Sequence, residues 1–483
     1  KRLIAGRTDI GAIVSFLGVV RDEGGRLAAL ELEHYPAMAE AEAGKIAAEA
    51  MKRCAAIIAA DPDKRVIVVS ATSGTTNLLT SLTETGDRAG RDSLIREIEE
   101  KHLDILKKLK NPGEAGERVA DLIKELRTAV EKSQPLDIRS SDEILSFGER
   151  LSSCLFTALL LAQGMDAEYI DAREIIMTDS HFGGAEPLID QVRYRAGEKM
   201  SDKLKSKRLV TQGFIGSDKY GDTTTLGRGG SDYSAALFAE ALDADVLEIW
   251  TDVNAIYSTD PRIVPDAEPI TEITFDEAAE LSVFGAKILH PATLKPAIRK
   301  NIRVYVGSSL HPGEPGTWIV RRSADLPVIR AISLRRNQTL VTVHSLDMLH
   351  RHGFLARLFQ VLSDYKISVD LVTTSEVSVS LTIDTNHEGL RQRLSAEMLR
   401  ELGSIADVQV EKGLALVALV GNNLDTTAGV SGQLFTLLDS TNIRLICHGA
   451  STHNLCFLID DPAAEKIIGK LHNHFISKKE HIK

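Results

Sequence analysis

The chain has 483 residues, 43% hydrophobic and 26% charged, too long for one ordinary domain and balanced like a globular protein with sizeable cores. Its net charge of −11, from 57 basic and 68 acidic residues, provides no overall positive field for nucleic acid or an anionic membrane. No apolar run reaches the roughly 20 residues a bilayer requires, and the basic residues 1–7 lack the apolar core of a secretion signal. Cys54, Cys154, Cys447 and Cys456 are scattered without CxxC spacing. They read as reduced thiols of a cytoplasmic protein, not as metal ligands.

In chain order, an apolar run at 11–20 is followed by the turn Asp22-Glu23-Gly24-Gly25 and a second apolar run at 27–32. That pattern predicts a β-hairpin, ahead of an Ala/Glu-rich helix at about 37–53. Residues 1–53 therefore form an atypical N-terminal segment. Residues 54–325 alternate short β-branched runs (65–70, 208–212, 246–250 and 302–306) with helical patterns. Such alternation implies a mainly parallel sheet covered by helices on both faces. Within it, residues 88–146 are highly charged and read as a helical insertion, with helices at 93–109 and 116–132. The last part repeats internally: Phe354-Leu-Ala-Arg-Leu-Phe359 overlays Val430-Ser-Gly-Gln-Leu-Phe435, and Ile367, Ser375 and Asp384 overlay Ile443, Ser451 and Asp460. Each copy, 326–400 and 401–483, reads strand, helix, strand, strand, a small ferredoxin-like α+β unit.

Four passages carry chemistry. Thr223-Thr-Thr-Leu-Gly-Arg228-Gly-Gly-Ser-Asp232-Tyr233 precedes a helical run at 235–242; its glycines let backbone N–H groups approach an anion, and Arg228 can grip a carboxylate or phosphate bidentately. A plain capped turn is the alternative. The polar loop from Trp250 to Arg262 follows a strand, at the sheet edge where ligands of open parallel sheets collect. Lys287 sits beside Gly285 in an apolar stretch that continues into His290-Pro291, which suits a phosphate-directed ammonium. Val68-Val-Ser70-Ala-Thr-Ser-Gly74-Thr-Thr76-Asn77 is a strand ending in a small hydroxyl-rich loop, an anion cradle or a helix cap.

Together with Ser146-Phe-Gly-Glu149-Arg150, Val210-Thr-Gln-Gly-Phe-Ile-Gly216 and His290-Pro-Ala-Thr293, these passages resemble the aspartokinases of the amino-acid kinase family, from about Cys54 to Phe475. The likeness is to the monofunctional, lysine-sensitive branch. It implies an amino-acid kinase fold followed by two ACT modules. The implied activity is transfer of the ATP γ-phosphate to the side-chain carboxylate of L-aspartate, giving 4-phospho-L-aspartate on the way to lysine, threonine and methionine. Positioning and charge neutralisation dominate such a transfer, with Mg2+ on the ATP phosphates. By resemblance, Ser70, Thr76, Glu149, Arg228 and Asp232 take aspartate. Arg228 would face its α-carboxylate, and Glu149 and Asp232 its amino group. Thr251, Asp252, Tyr257, Arg262 and Lys287 match the nucleotide site. In the first ACT module Met348, Gly353, Phe354, Leu355, Ser368, Val369, Asp370, Thr374, Ser375 and Glu376 match lysine-binding positions, while Arg351 replaces a small hydroxyl residue. Feedback inhibition by lysine and a homodimer through the ACT modules, with a tetramer as the alternative, are implied as well.

The resemblance breaks at the start. An aspartokinase is expected to open with a strand running into Lys-Phe-Gly-Gly-Thr-Ser, which places a lysine and backbone amides on the transferring phosphate, and this sequence contains no such run. Residues 8–53 instead resemble the N-terminal part of the molybdopterin synthase catalytic subunit, through Asp9-Ile-Gly-Ala-Ile-Val-Ser-Phe-Leu-Gly-Val-Val-Arg21 and Leu30-Glu-Leu-Glu-His34-Tyr-Pro-Ala-Met38. The join is expected near 50–57, with a sheet lacking its central strand and weak or absent turnover. The alternative function is therefore a catalytically impaired, lysine-binding ACT protein.

Overall fold

The computed structural model describes residues 36–109, 114–132, 136–227, 229–285, 289, 291–349, 352–384 and 394–477, with side chains from residue 44 onward. The expected hairpin at 11–32, Arg228, Lys287, His290 and Arg351 lie outside them. The chain forms two compact units, Lys1–Asn254 with Ala292–Glu314, and Ala255–Pro291 with Pro315–Lys483.

The first unit runs through α1 (Pro36–Ala59), β1 (Val66–Val69), α2 (Thr75–Glu84), α3 (Arg88–Lys108), α4 (Ala115–Lys132), α5 (Ile138–Ala162), β2 (Ala167–Tyr169), α6 (Ile189–Met200), β3 (Arg208–Gln212), β4 (Ile215–Ser217), β5 (Thr223–Thr225), α7 (Gly230–Ala241) and β6 (Val246–Thr251). The second unit then takes β7 (Glu272–Thr274) and α8 (Phe275–Val283). α9 (Pro291–Lys300) leads the chain back to the first unit for β8 (Arg303–Ser308). The rest belongs to the second unit: β9 (Thr317–Val320), β10 (Ile329–His344), α10 (Phe354–Asp364), β11 (Val372–Thr374), β12 (Ser378–Asp384), α11 (Ala396–Gly403), β13 (Asp407–Gly421), α12 (Val430–Leu437), β14 (Leu445–His448), β15 (Asn454–Asp460) and α13 (Ala464–His472).

In the first unit β3 lies between β1 and β2, parallel to both, and β6 pairs parallel with β8. Parallel strands need crossovers, and the intervening helices supply them. α3 and α4 are amphipathic; Ile98, Ile105, Val119, Leu122 and Leu126 are buried in one core with residues of α5. The helical insertion thus adds a layer to the core. α5 is apolar and long enough to span a bilayer, but most of it is buried in this core.

In the second unit the repeat shares one antiparallel sheet, ordered β11-β12-β10-β13-β15-β14. β10 and β13, of 16 and 15 residues, pair along nearly their whole length, with register shifts around Arg335–Gln338. Val341 and Val343 of β10 pack in one core with Leu358, Met398 and Leu402. Ile329 and Ile332 of the same strand pack in the other, with Val417, Leu434 and Ile468. The ferredoxin-like units expected from the repeat are present, fused through their first strands.

Candidate active site

The first unit gathers part of the expected aspartate site around the C-terminal end of β1. Ser70 leaves the strand exposed, and Gly74, with φ of 81°, turns the chain into α2 in the left-handed region that suits glycine. Thr75 is buried and bonded to Thr72 at 2.7 Å, whereas Thr76 is exposed on the first turn of α2. The amide of Ala71 donates to Glu149 Oε1 at 3.3 Å, so the α5 carboxylate holds the loop from below. Glu149 is 5% exposed, and loss of water pushes its carboxyl up to about 7.

Ser70 and Ala71 line a cavity that is also lined by Asp232, on the first turn of α7. Burial alone raises its carboxyl to about 6. Asp232 is half-buried on the cavity and Glu149 is buried beside the loop that lines it; an ammonium group near either would favour its charged form. The glycines of the flanking loops permit this approach: a Cβ on Gly213 would lie 2.6 Å from Ser231, and one on Gly230 the same distance from Phe214. Phe214 N donates to Ser234 Oγ at 2.9 Å, locking the turn after β3 onto α7.

Three supporting residues escaped the sequence reading. Asp142 accepts from Gly183 N, Thr225 N and Thr225 Oγ1 at 2.8–2.9 Å, anchoring the strand that leads into Arg228. Its spacing of seven from Glu149 puts the two on one face of α5, the signal that could have found it. Lys101 of α3 donates to Ser73 O and, at 3.0 Å, to Thr75 Oγ1; burial lowers its ammonium to about 8. His102, fully buried beside Thr72, is held neutral by burial, at about 4. Nothing local in Glu99-Glu-Lys-His102 marks either one as a neighbour of this loop.

The expected nucleotide residues divide between the units. In the first, Thr251 O accepts from Ser309 N and Oγ at 2.7 and 2.9 Å, and Thr251 Oγ1 donates to the exposed Asp252 at 3.1 Å. In the second, Tyr257 bridges Pro269, and the exposed Arg262 clasps Asp260 at 2.7–3.2 Å. No group of three or more His, Cys, Asp or Glu able to hold a metal occurs among the described residues.

The expected effector positions of the second unit surround the start of α10 and the β11–β12 turn. Gly353, with φ of 85°, begins the helix; Met348, Phe354 and Val369 pack on the first module's core, and Leu355, Ser368, Thr374 and Glu376 are exposed. Ser375 N donates to Ser378 O at 2.8 Å. Asp370 pairs with Arg335 at 3.2 Å.

A profile of the amino acid kinase family matches residues 37–308, and an ACT domain profile matches 341–389 and 417–475. A profile of the MoaE protein matches residues 1–71, so the two likenesses overlap from 37 to 71 and β1 belongs to both. Lysine-sensitive aspartokinase 3 of Escherichia coli is 46% identical over 432 residues, covering 88% of this chain and 96% of that protein. Chloroplastic aspartokinase 1 of Arabidopsis thaliana is 35% identical over 89% of this chain and 78% of its own. The crystal structure of E. coli aspartokinase III with aspartate and ADP superposes with a TM-score of 0.79, at 46% identity, over 88% of this chain and 96% of that one. The chain belongs to the amino acid kinase family, as an aspartokinase with C-terminal ACT domains.

Proposed function

We propose that this chain phosphorylates the side-chain carboxylate of L-aspartate with ATP. The observation that supports this most is the convergence of Ser70 and Asp232 on one cavity, with Glu149 holding the adjacent backbone. Aspartate's ammonium would sit between Glu149 and Asp232, and Arg228 would take its α-carboxylate. Thr251 and Asp252 of the first unit would contact the nucleotide. Mg2+ bound to the ATP phosphates would neutralise developing charge; it keeps several waters and needs few protein ligands, which fits the exposed carboxylate of Asp252. The protein's task is to orient the acceptor carboxylate and exclude competing water.

Release of ADP coupled to hydroxylamine trapping of the acyl phosphate tests this. Trapped product that requires both aspartate and ATP is expected, and nucleotide hydrolysis indifferent to aspartate would defeat it. KM for aspartate should fall as pH rises from about 5.5 to 7.5, because the raised carboxyls of Asp232 and Glu149 ionise in that window. In Asp232→Asn that dependence should weaken and kcat/KM drop roughly 100-fold, the cost of one charged contact. Steady-state kinetics across pH would measure both.

Lysine is proposed as the effector of the first ACT module. Asp370 already holds a cation, Arg335, and lysine's ammonium would share or displace it. The exposed apolar Leu346, Leu355 and Val372 support a homodimer through this edge. A second reading, weak turnover with ligand binding retained, is favoured by the half-exposed state of β1.

A further inference from the structure

Tyr169 closes β2 with a phenol whose oxygen is buried and has no hydrogen-bond partner among the described residues. Burial first, and then the Asp171 carboxylate, push that phenol up to about 12, so it stays protonated and can donate. Three guanidiniums stand around it. Arg118 of α4 lies over the ring, 5.5 Å from its centroid, and makes no ion pair among the described residues. Arg150 of α5, 5% exposed, lies over Phe147 at 4.4 Å and meets Glu125 of α4 through Nη2, while its buried Nε has no partner among them. Arg173, in the turn after β2, grips Asp171 with Nε and Nη2 at 2.7–3.2 Å and donates to Thr223 Oγ1 at 3.2 Å.

The carboxylates leave this cluster unbalanced. Asp171 is taken up by the fork of Arg173, and Glu125 is exposed and reaches Arg150 through one nitrogen. Buried donors without partners are rare in folded proteins and mark a bound water or ion. A water would accept from Tyr169 Oη or Arg150 Nε but leave the excess of positive charge; an anion answers both. Arg150 follows Glu149 by one residue, so it projects about 100° away around α5. None of the cluster lines the cavity shared by Ser70 and Asp232.

We propose that Arg118, Arg150 and Tyr169, with Arg173 beside them, form a binding site for a small oxyanion of the phosphate class. Guanidinium forks match phosphate oxygens two at a time, and the phenol adds a further donor. The depth of Arg150 and of the phenol oxygen selects a free ion over the phosphate group of a larger metabolite. Glu125 and Arg118 are exposed, so they can turn aside to admit it, and the ion then replaces the Glu125 carboxylate on Arg150. A dianion and Asp171 together balance the three guanidiniums. Bound there, the ion joins α4 and α5 to β2 and, through Arg173 and Thr223, to β5.

This site does not depend on the kinase reading, and its test is a binding measurement on the full chain. Equilibrium dialysis against radiolabelled inorganic phosphate, with chloride at matched ionic strength and saturating Mg-ADP to occupy any nucleotide site, should retain one phosphate per chain. Arg118→Ala, at an exposed position, and Tyr169→Phe should each weaken binding about tenfold. Arg150→Met should abolish it; should R150M fail to fold, the other two variants still decide. Phosphate retained no better than the chloride-matched background would overturn the proposal, as would R118A and Y169F binding it like the unaltered chain. Competition by glycerol phosphate as strong as by the free ion would equally refute an enclosed site.

Discussion

β1 and β13 are built from the same material and meet opposite fates. Val66-Ile-Val-Val69 is half-exposed along its length, while the eight residues from Leu414 to Gly421 are all buried. β13 has β10 on one side and β15 on the other, with helices of the second module packed on its face. β1 has β3 on one side and the cavity on the other. An apolar strand is buried by its neighbours, not by its composition. The same run can therefore be a core or an acceptor for another strand.

The sharpest test of that contrast places one charge in each strand. Val417→Asp, in the fully paired β13, should cost about 5 kcal/mol and unfold the second unit, as measured by urea denaturation. Val68→Asp, at a half-buried residue packed against the first unit's core, should cost less, about 2 kcal/mol. A cost approaching that of V417D would mean that its face is as completely covered as that of β13. Glu277 is the next largest effect. It is fully buried, accepts from Arg330 at 2.8 Å, Asn422 at 2.7 Å and Thr274 at 2.8–2.9 Å, and its loss leaves the buried Arg330 guanidinium only the exposed Asp325. Glu277→Ala should destabilise by about 4 kcal/mol in the same experiment, with no matching effect expected for the half-exposed pair Lys64–Glu248.

Glu149 sharpens the comparison by pH. Its carboxyl lies at about 7 in the folded chain against 4.5 ordinarily, so the folded state binds the extra proton. That contribution is fully present below pH 4.5 and lost as pH rises through 7, roughly 3 kcal/mol in all. Glu149→Gln should flatten this fall in ligand-free denaturation at pH 4.5 and 8; an unchanged slope would show that the group is already hydrated. The smallest effect is Thr274→Ala, which breaks the capping box with Glu277 at the start of α8. About 1 kcal/mol is expected, read from thermal melting.

Much of the architecture was legible from periodicity. β3 was placed to the residue, and the two ACT copies emerged from a constant spacing of conserved residue types between them. α7 was placed five residues late, because Gly229-Gly230-Ser231-Asp232 reads as loop although the left-handed Gly229 already caps the helix. The site was half legible: hydroxyl- and glycine-rich strand ends announce Ser70 and Asp232. The contacts of Asp142 with Thr225, 83 residues away, and of Lys101 with the Ser73–Thr75 turn leave no local trace. Nor could the repeat reveal that its halves share one sheet, since pairing between β10 and β13 is decided by edges and not by the motif.

That shared sheet has a thermodynamic consequence. Each end of β10 contributes valines or isoleucines to a different core, so removing either module strips half of the other's longest strand of its partners. The pair should melt as a single calorimetric transition, and neither half should survive excision as a folded fragment.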